Sequence, residues 1–563
     1  VTALSPDLAP DLSPDLSPDL APAAPGAVSP PWDRRRITLT VTAVVGAGVC
    51  VWAWRHLDMT LAGIVEGSGH IWRLVGRMTP PTFRDLDRTI ELAVETFFTA
   101  LLGTVVATVI SVPVGVLAAS NTTINRWTQA GVRGLIALCR AVPDLVFAFI
   151  FVRAIGIGVL PGVLALAFHS VGMIGKLFAD AIETVDEGPR EAVRAAGGHR
   201  LHDITTAVLP QVQPSWIGTF LYRLDINLRT SVVLGLVGAG GIGFALQSTL
   251  RALQYDAAMG IVLVIAVMIV AVEVFSSAMR RSLLGDETVG TPRRVEAAVA
   301  GVGRLSPPWT AERRRRTGYA AVLLVGIAYA FASTDVSPVE LVTSVPDIVE
   351  TAGRLFPPGL GGMALDELFE PMLVTVAVGL VSTALAVVVA IPLGFLAARN
   401  VAPFRWLAGT VRVSLVGWRA IPELILAVVF VAAIGLGPVG GVLALALGSI
   451  PFLAKLVADS VEEVDPGPRD AVDAVGAGRL QETVTAVTPQ VTPALVGHVL
   501  YLLDVNIRSS TILGIVGGGG IGFLLFNSMR VMQYEVTGAI LLLIFVTIFV
   551  IEQISGWLRR KLI

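Results

Sequence analysis

Charge is scarce in this sequence. Of 563 residues only 15% are Asp, Glu, Lys or Arg, where a soluble domain carries about 25%. That shortage excludes a soluble enzyme, a disordered chain and a nucleic-acid binder. The net charge is −2, so no field of one sign points to a partner. Cysteine is nearly missing too. Cys50 and Cys139 both sit in apolar runs, which argues against a disulfide framework or a metal site and reads as small buried packing residues. A nucleotide site is not legible either. Gly175-Lys176 fails as a Walker A loop, because Ser170 stands where its first glycine belongs and Leu177 follows the lysine. Gly238–Gly243 and Gly517–Gly522 satisfy GxGxxG, but neither follows a strand of a βαβ unit. At the end of a membrane span such glycines allow tight packing or a bend.

What the chain has in abundance is long apolar runs. The first half contains Ile37–Trp54, Thr96–Ala119, Ala154–Gly175 and Ala257–Val272. The second contains Gly318–Ser333, Pro371–Ala398, Leu436–Ala454 and Gly538–Ile551. Four further stretches carry buried charges: 133–152, 214–243, 412–434 and 493–523. Crossing a bilayer core as helix takes about 20 residues. The reading is an all-α polytopic membrane protein with about twelve transmembrane helices, six per half. Arginines cluster after alternate spans: Arg126 and Arg133, then Arg190, Arg194 and Arg200, then Arg280 and Arg281, with matching sets in the second half. The positive-inside rule makes that side cytoplasmic and puts both termini inside. Segment 55–88 objects, with five arginines on the outer side, but it also holds Asp58, Glu66, Asp85 and Asp87. Its stretch Gly69–Met78 is expected along the membrane surface. Residues 1–31 repeat Ser/Ala-Pro-Asp-Leu. They lack the basic start and apolar centre of a signal peptide and read as a disordered Pro-rich tail, plain or with a docking role.

The chain is one unit written twice. At a constant offset of 279, Thr96 pairs with Thr375, Pro113 with Pro392, Arg140 with Arg419 and Lys176 with Lys455. Asp225, Asn227 and Arg229 pair with Asp504, Asn506 and Arg508. An even number of spans per copy makes this a parallel repeat, with its axis along the membrane normal. The divisions expected are the tail 1–31, a first half 32–280, a basic linker 281–318 and a second half 319–563.

One loop recurs on the cytoplasmic side. It reads DEGPREAVRAAGG from Asp186 and DPGPRDAVDAVGA from Asp465. Proline suits a first helical turn, small residues follow, and Gly197 or Gly476 closes the helix. An ordinary amphipathic loop helix would fit these features. The spacing also resembles the EAA loop of ABC importer permeases: Glu-Ala-Ala, three residues, Gly, nine residues, Ile-x-Leu-Pro. Glu191, Ala192, Gly197, Leu209 and Pro210 match, with Val193 and Ala207 as departures. In the second copy Asp470, Ala471 and Gly476 take those places, and Thr488 replaces the leucine. The resemblance implies that Glu191, Ala192, Gly197, Asp470, Ala471 and Gly476 couple to an ATPase.

Downstream, Asp-x-Asn-x-Arg followed by Leu-Gly-x-Val-Gly-x-Gly-Gly-Ile-Gly-Phe is similar to the permease of phosphonate ABC transporters, as are Arg140–Asp144 and Arg419–Glu423. The resemblance covers residues 55–280 and 335–560. It implies two permease units fused in one chain, in a bacterial cell membrane. It also implies two copies of a cytoplasmic ABC ATPase that bind ATP and Mg, and an extracytoplasmic phosphonate- or phosphate-binding protein. This chain itself is expected to bind no cofactor and no nucleic acid, to contact lipid, and to be no enzyme.

The buried charges have two readings. Arg229 and Asp225 lie one helical turn apart, as do Arg508 and Asp504, so each pair suits a structural clamp. Charges at membrane depth also face water-filled paths. In that second reading Arg229, Arg508, Asn227 and Asn506 face the axis and pass an oxyanion along, with Arg140 and Arg419 as further candidates. Lys176–Asp180 and Lys455–Asp459 read as helix-end pairs, and His169, answered by Gly448, as a lone buried histidine. The expected cargo is phosphonate or a related phosphorus oxyanion. Alternatives are phosphate, phosphite, an amino acid or another small solute, an ion-coupled secondary transporter, or a channel or scaffold.

Overall fold

The structure is a computed structural model that describes residues 34–235, 238–284, 309, 311–334, 336–419 and 421–562. The tail 1–31 and most of the linker lie outside the described residues. Among the described residues every regular element is a helix. The first half runs α1 (Arg34–His56), α2 (Leu61–Arg77), α3 (Leu86–Ala118), α4 (Arg126–Ala141), α5 (Asp144–Ile155), α6 (Val159–Glu183), α7 (Glu187–Ala195), α8 (Leu209–Gly235), α9 (Gly241–Arg251) and α10 (Tyr255–Leu284). The second half repeats this with α11 (Ala311–Ser333), α12 (Leu365–Ala397), α13 (Arg405–Arg419), α14 (Glu423–Ile434), α15 (Pro438–Glu462), α16 (Pro466–Ala474), α17 (Thr488–Leu513), α18 (Ile521–Arg530) and α19 (Tyr534–Leu562).

Eight helices are long and apolar enough to cross a membrane, or ten spans if each of two bent pairs counts as one. The bent pairs are α4 with α5, at 89°, and α13 with α14, at 74°. The break falls at Pro143 and Pro422, each of which opens the second helix of its pair. Proline removes a backbone donor and turns the preceding residue away from helix. Two other helices have the length of a span without entering that set: α1, with 23 residues, and α8, with 27. Arg223, Asp225 and Arg229 lower the hydropathy of α8. The expected twelve resolve into these three groups.

Each half is built on three helices. In the first, α3, α6 and α8 pack together, and α6 is the most buried of the spans. Small residues let them approach. A Cβ on Gly103 would stand 2.7 Å from the Leu166 Cβ, and one on Gly115 would stand 2.7 Å from the Phe178 Cβ. In the second half a Cβ on Gly394 would stand 2.5 Å from the Val457 Cβ. Lipid is as apolar as leucine, so close contact rather than burial from water holds such helices. Peripheral helices are exposed: only 6% of the α11 span is buried, and Val322, Leu324 and Val325 on it suit lipid.

The halves interlock. Ala53 of α1 and Leu57 just after it join Ala377, Val378 and Val381 of α12 in one apolar cluster. Reciprocally, Ala330 of α11 packs with Phe98, Leu101 and Leu102 of α3. The first helix of each half therefore lies on the other half, which the chain-order division into 32–280 and 319–563 does not convey.

Candidate functional site

Where the halves meet, a cavity of about 380 Å³ opens between α5, α6 and α8 of the first and their partners of the second. Its apolar wall includes Ile226, Val233, Val505 and Ile512. Its charged groups are Arg223, Arg229, Arg419 and Arg508 against Asp144 and Glu423.

Arg229 and Arg508 combine both readings of the sequence. Arg229 Nη2 lies 3.3 Å from each Asp225 carboxylate oxygen and 3.5 Å from Glu273 Oε2. Arg508 Nη2 lies 3.0 Å from Asp504 Oδ2, and its Nη1 donates to the Arg140 carbonyl across the interface at 3.2 Å. Each arginine is thus clamped and still lines the cavity. Among the described residues the buried Nε of each finds no hydrogen-bond partner.

The asparagines do not face the axis. Asn227 is fully buried. It accepts from the Ser170 hydroxyl at 3.1 Å and donates to Thr104 Oγ1 at 2.9 Å. Asn506 repeats this with Ser449 at 2.8 Å and Thr383 at 2.9 Å. The reason is helical geometry: residues two apart lie about 200° apart around the axis, so Asn227 and Arg229 cannot share a face. Both asparagines tie three helices of their own half together.

Arg140 and Arg419 part company. Arg140 reaches Glu552 of α19 at 3.2 Å and stands outside the cavity wall. The matching carboxylate, Glu273, is taken by Arg229. Arg419 lines the cavity and makes no ion pair among the described residues. It also borders a second cavity of about 160 Å³ with Arg412 and Lys455. The lysines differ likewise. Lys176 pairs with Asp180 at 2.7 Å, while no Lys455–Asp459 ion pair forms. Sequence reasoning missed Arg223, named Asp144 and Glu423 only as the acidic ends of a family segment and not as site residues, and treated His169 as a lone buried histidine. His169 lines the cavity, with Nδ1 3.3 Å from the Val142 carbonyl.

On the side of the repeated loops, α7 and α16 are short helices with exposed outer faces. Glu191, Ala192 and Gly197 are exposed, as are Asp470, Ala471 and Gly476. Leu201, Val475 and Leu480 are apolar and 64–81% exposed beside them. Asp186 caps α7 by accepting from Gly188 N at 3.0 Å, and Asp465 caps α16 by accepting from Gly467 N at 2.9 Å. An arginine pins each helix from below, buried in α7 and half-buried in α16. Arg190 donates to Asp203 at 3.1 and 3.2 Å and to the Asn121 carbonyl at 2.9 Å. Arg469 pairs with Glu482 at 2.5 Å and donates to the Asn400 carbonyl at 2.9 Å. Burial works against the Asp203 carboxylate, but hydrogen bonds from Arg190 and Arg194 outweigh it and hold its carboxyl below the usual range. Gly197 and Gly476 have φ of +78° and +79°, the left-handed turn that glycine adopts without steric cost.

The other glycine motif is a packing device. A Cβ on Gly243 would lie 1.9 Å from the Val232 carbonyl oxygen, and one on Gly522 would lie 1.9 Å from that of Thr511. The backbone N–H of Gly241 donates to Glu95 at 3.0 Å and that of Ile242 to Thr96 at 2.9 Å.

Two stretches, residues 111–284 and 390–563, match the family described as binding-protein-dependent transport system inner membrane component. They are offset by the same 279 residues as the internal repeat. The phosphate-import permease protein PhnE of Mycolicibacterium smegmatis is 51% identical over 515 residues, which cover 92% of this chain and 93% of that one. The phosphite transport system permease protein PtxC of Stutzerimonas stutzeri is 42% identical over 239 residues, 42% of this chain and 87% of its own. A chain of the inward-facing MetNI methionine ABC transporter superposes with a TM-score of 0.32 at 24% identity, over 36% of this chain and 100% of its own. The two matches and the near full-length relative lead to one conclusion: the chain belongs to the family of inner membrane components of binding-protein-dependent transport systems, and it carries that unit twice.

Proposed function

We propose that this chain forms the whole transmembrane pathway of an ATP-driven importer for a phosphorus oxyanion, of the phosphonate, phosphate or phosphite class. The observation that carries this reading is the pair Arg229 and Arg508, one from each half, lining a single cavity with their Nε donors unpaired. A guanidinium presents donors in a fixed fork that suits a tetrahedral oxyanion. The substrates named for the two relatives have that chemistry. Arg419 adds a third cation, with no ion pair among the described residues. Asn227 and Asn506 serve as scaffold, and Arg140 serves through its carbonyl and its link to Glu552.

The protein is a multi-pass integral membrane protein of the plasma membrane and a transport subunit rather than an enzyme. In the fuller reading the membrane is bacterial, with both termini and both loops cytoplasmic. Two copies of an ATPase, which bind ATP and Mg, dock on α7 and α16 at Glu191–Gly197 and Asp470–Gly476. An extracytoplasmic binding protein delivers the substrate. ATP-driven closure at the loops then switches the cavity between outward and inward access. The test is uptake of labelled phosphate, phosphite and methylphosphonate into proteoliposomes that contain this chain, its ATPase and its binding protein. Uptake of at least one is expected, and only with ATP. Uptake by this chain alone, driven by an ion gradient, would overturn the ATP coupling.

A further inference from the structure

The two walls of the cavity are not equivalent. Under the offset of 279, Arg229 answers to Arg508 and Tyr222 to Tyr501, but His169 answers to Gly448 and Arg223 to Leu502. All of these line the cavity. Arg223 is 3% exposed. Its Nε donates to the Ser170 hydroxyl at 2.8 Å, and its Nη1 lies 3.2 Å from the Met173 sulfur. A guanidinium has five N–H donors, and a thioether is a weak acceptor. No carboxylate lies within ion-pair distance of Arg223 among the described residues, although a buried cation is costly without a counter-charge. The support beneath it is present in both halves: Ser170–Asn227–Thr104 is matched by Ser449–Asn506–Thr383. Only the first half sets a charged head on that support.

We propose that Arg223, with His169 beside it, forms a one-sided oxyanion subsite that holds the substrate against the first half, while Leu502 offers it an apolar wall. This inference rests on the oxyanion-importer reading and adds which half binds. An anion would supply the acceptors that Ser170 and Met173 leave wanting.

The test compares Arg223→Gln with Leu502→Gln in the full reconstituted complex, with inorganic phosphate as the probe. The same amide then stands at matched positions, so general damage to the cavity affects both variants. Arg223→Gln is expected to lower the maximal uptake rate by about tenfold or more, the size of one charge-assisted hydrogen bond. Leu502→Gln buries an amide in the apolar wall and is expected to lower uptake by less than Arg223→Gln does, because it removes no charge from the subsite. A second readout reports binding directly. A cysteine placed at Thr230, in a background without Cys50 and Cys139, is shielded from maleimide by phosphate. That shielding is expected to vanish with Arg223→Gln and to persist with Leu502→Gln. Equal losses in both variants, or shielding that survives Arg223→Gln, would overturn the subsite. If Arg223→Gln does not assemble with the ATPase, Arg223→Lys, which keeps the charge and loses the fork, is judged by the same two measures. A wild-type complex that carries no phosphorus oxyanion sinks the functional reading. Wild-type phosphate uptake that is indifferent to Arg223 sinks only the subsite.

Discussion

Arg229 and Arg508 each do two things with one side chain: they neutralise an aspartate one turn away and they face the cavity. Truncating Arg229 alone leaves Asp225 and Glu273 without their partner, a loss of about 3–5 kcal/mol for a buried pair. The informative variant is therefore Asp225→Asn with Arg229→Gln, repeated as Asp504→Asn with Arg508→Gln. We expect these proteins to fold and assemble, the first less stable than the second because Glu273 also loses Arg229, yet both to lose most oxyanion uptake. Wild-type uptake in the quadruple variant would sink the pathway role. Asp203 supports a second prediction. Its folded-state pKa is depressed by Arg190 and Arg194, so its stabilisation is complete above the unfolded value of about 3.9 and is lost as pH falls through the folded value. Hydrogen exchange in residues 187–208 should therefore quicken on acidification below about pH 4, and this step should be absent in Asp203→Asn. At this scale the sequence revealed the residues that come in pairs. Arg229 and Arg508 stood out because the repeat preserves them. Arg223 and His169 did not, because they occur once and repeat matching passes over what differs. Asn227 and Asn506 were misplaced because adjacency in sequence is not adjacency around a helix.

Among the elements, α7 and α16 are the most legible. Their caps, prolines and closing glycines follow local rules, so chain order and backbone chemistry suffice to place them. What the sequence withheld was the anchor beneath: Arg190 finds Asp203 thirteen residues on and Asn121 sixty-nine residues back. Gly197 and Gly476 test the coupling role. A β-branched residue at φ near +78° costs about 1–2 kcal/mol or more, and no atom lies within 4 Å of a Cβ built at either glycine. The fault should stay local. Gly197→Val with Gly476→Val should leave expression and detergent stability near wild type and abolish co-purification of the ATPase from membranes. Full ATPase recovery would place the docking surface elsewhere. The breaks at Pro143 and Pro422 were legible as proline positions but not as bends of 89° and 74°. The angle depends on where the neighbouring helices leave room.

At the scale of the whole molecule the halves are joined twice, by the linker and by the exchange of α1 and α11. Fragments cut between residues 295 and 296 should be unstable alone, because α3 loses the cover of α11 and α12 the cover of α1. Expressed together, they should co-purify and support uptake. Independent stability of either fragment in detergent would argue against the interlocked packing. The asymmetry of the cavity also belongs to this scale. Glu552 holds Arg140, while Glu273 holds Arg229 and leaves Arg419 facing the cavity. Two repeated halves thus present unequal walls to one cavity.

By itself the sequence determined the class of the molecule. Low charge and long apolar runs require a membrane, and the 279-residue offset requires two like-oriented units. The glycine-closed loop helices follow from local backbone preferences. Those properties are short-range or periodic, so they are written along the chain. Tertiary structure alone decided which side of α8 and α17 faces the axis, which carboxylate each arginine takes, and which arginines are left without one among the described residues. Each of these depends on the rotation and approach of helices hundreds of residues apart, where a shift of one residue turns a helix by about 100° and exchanges a cavity wall for a packed core.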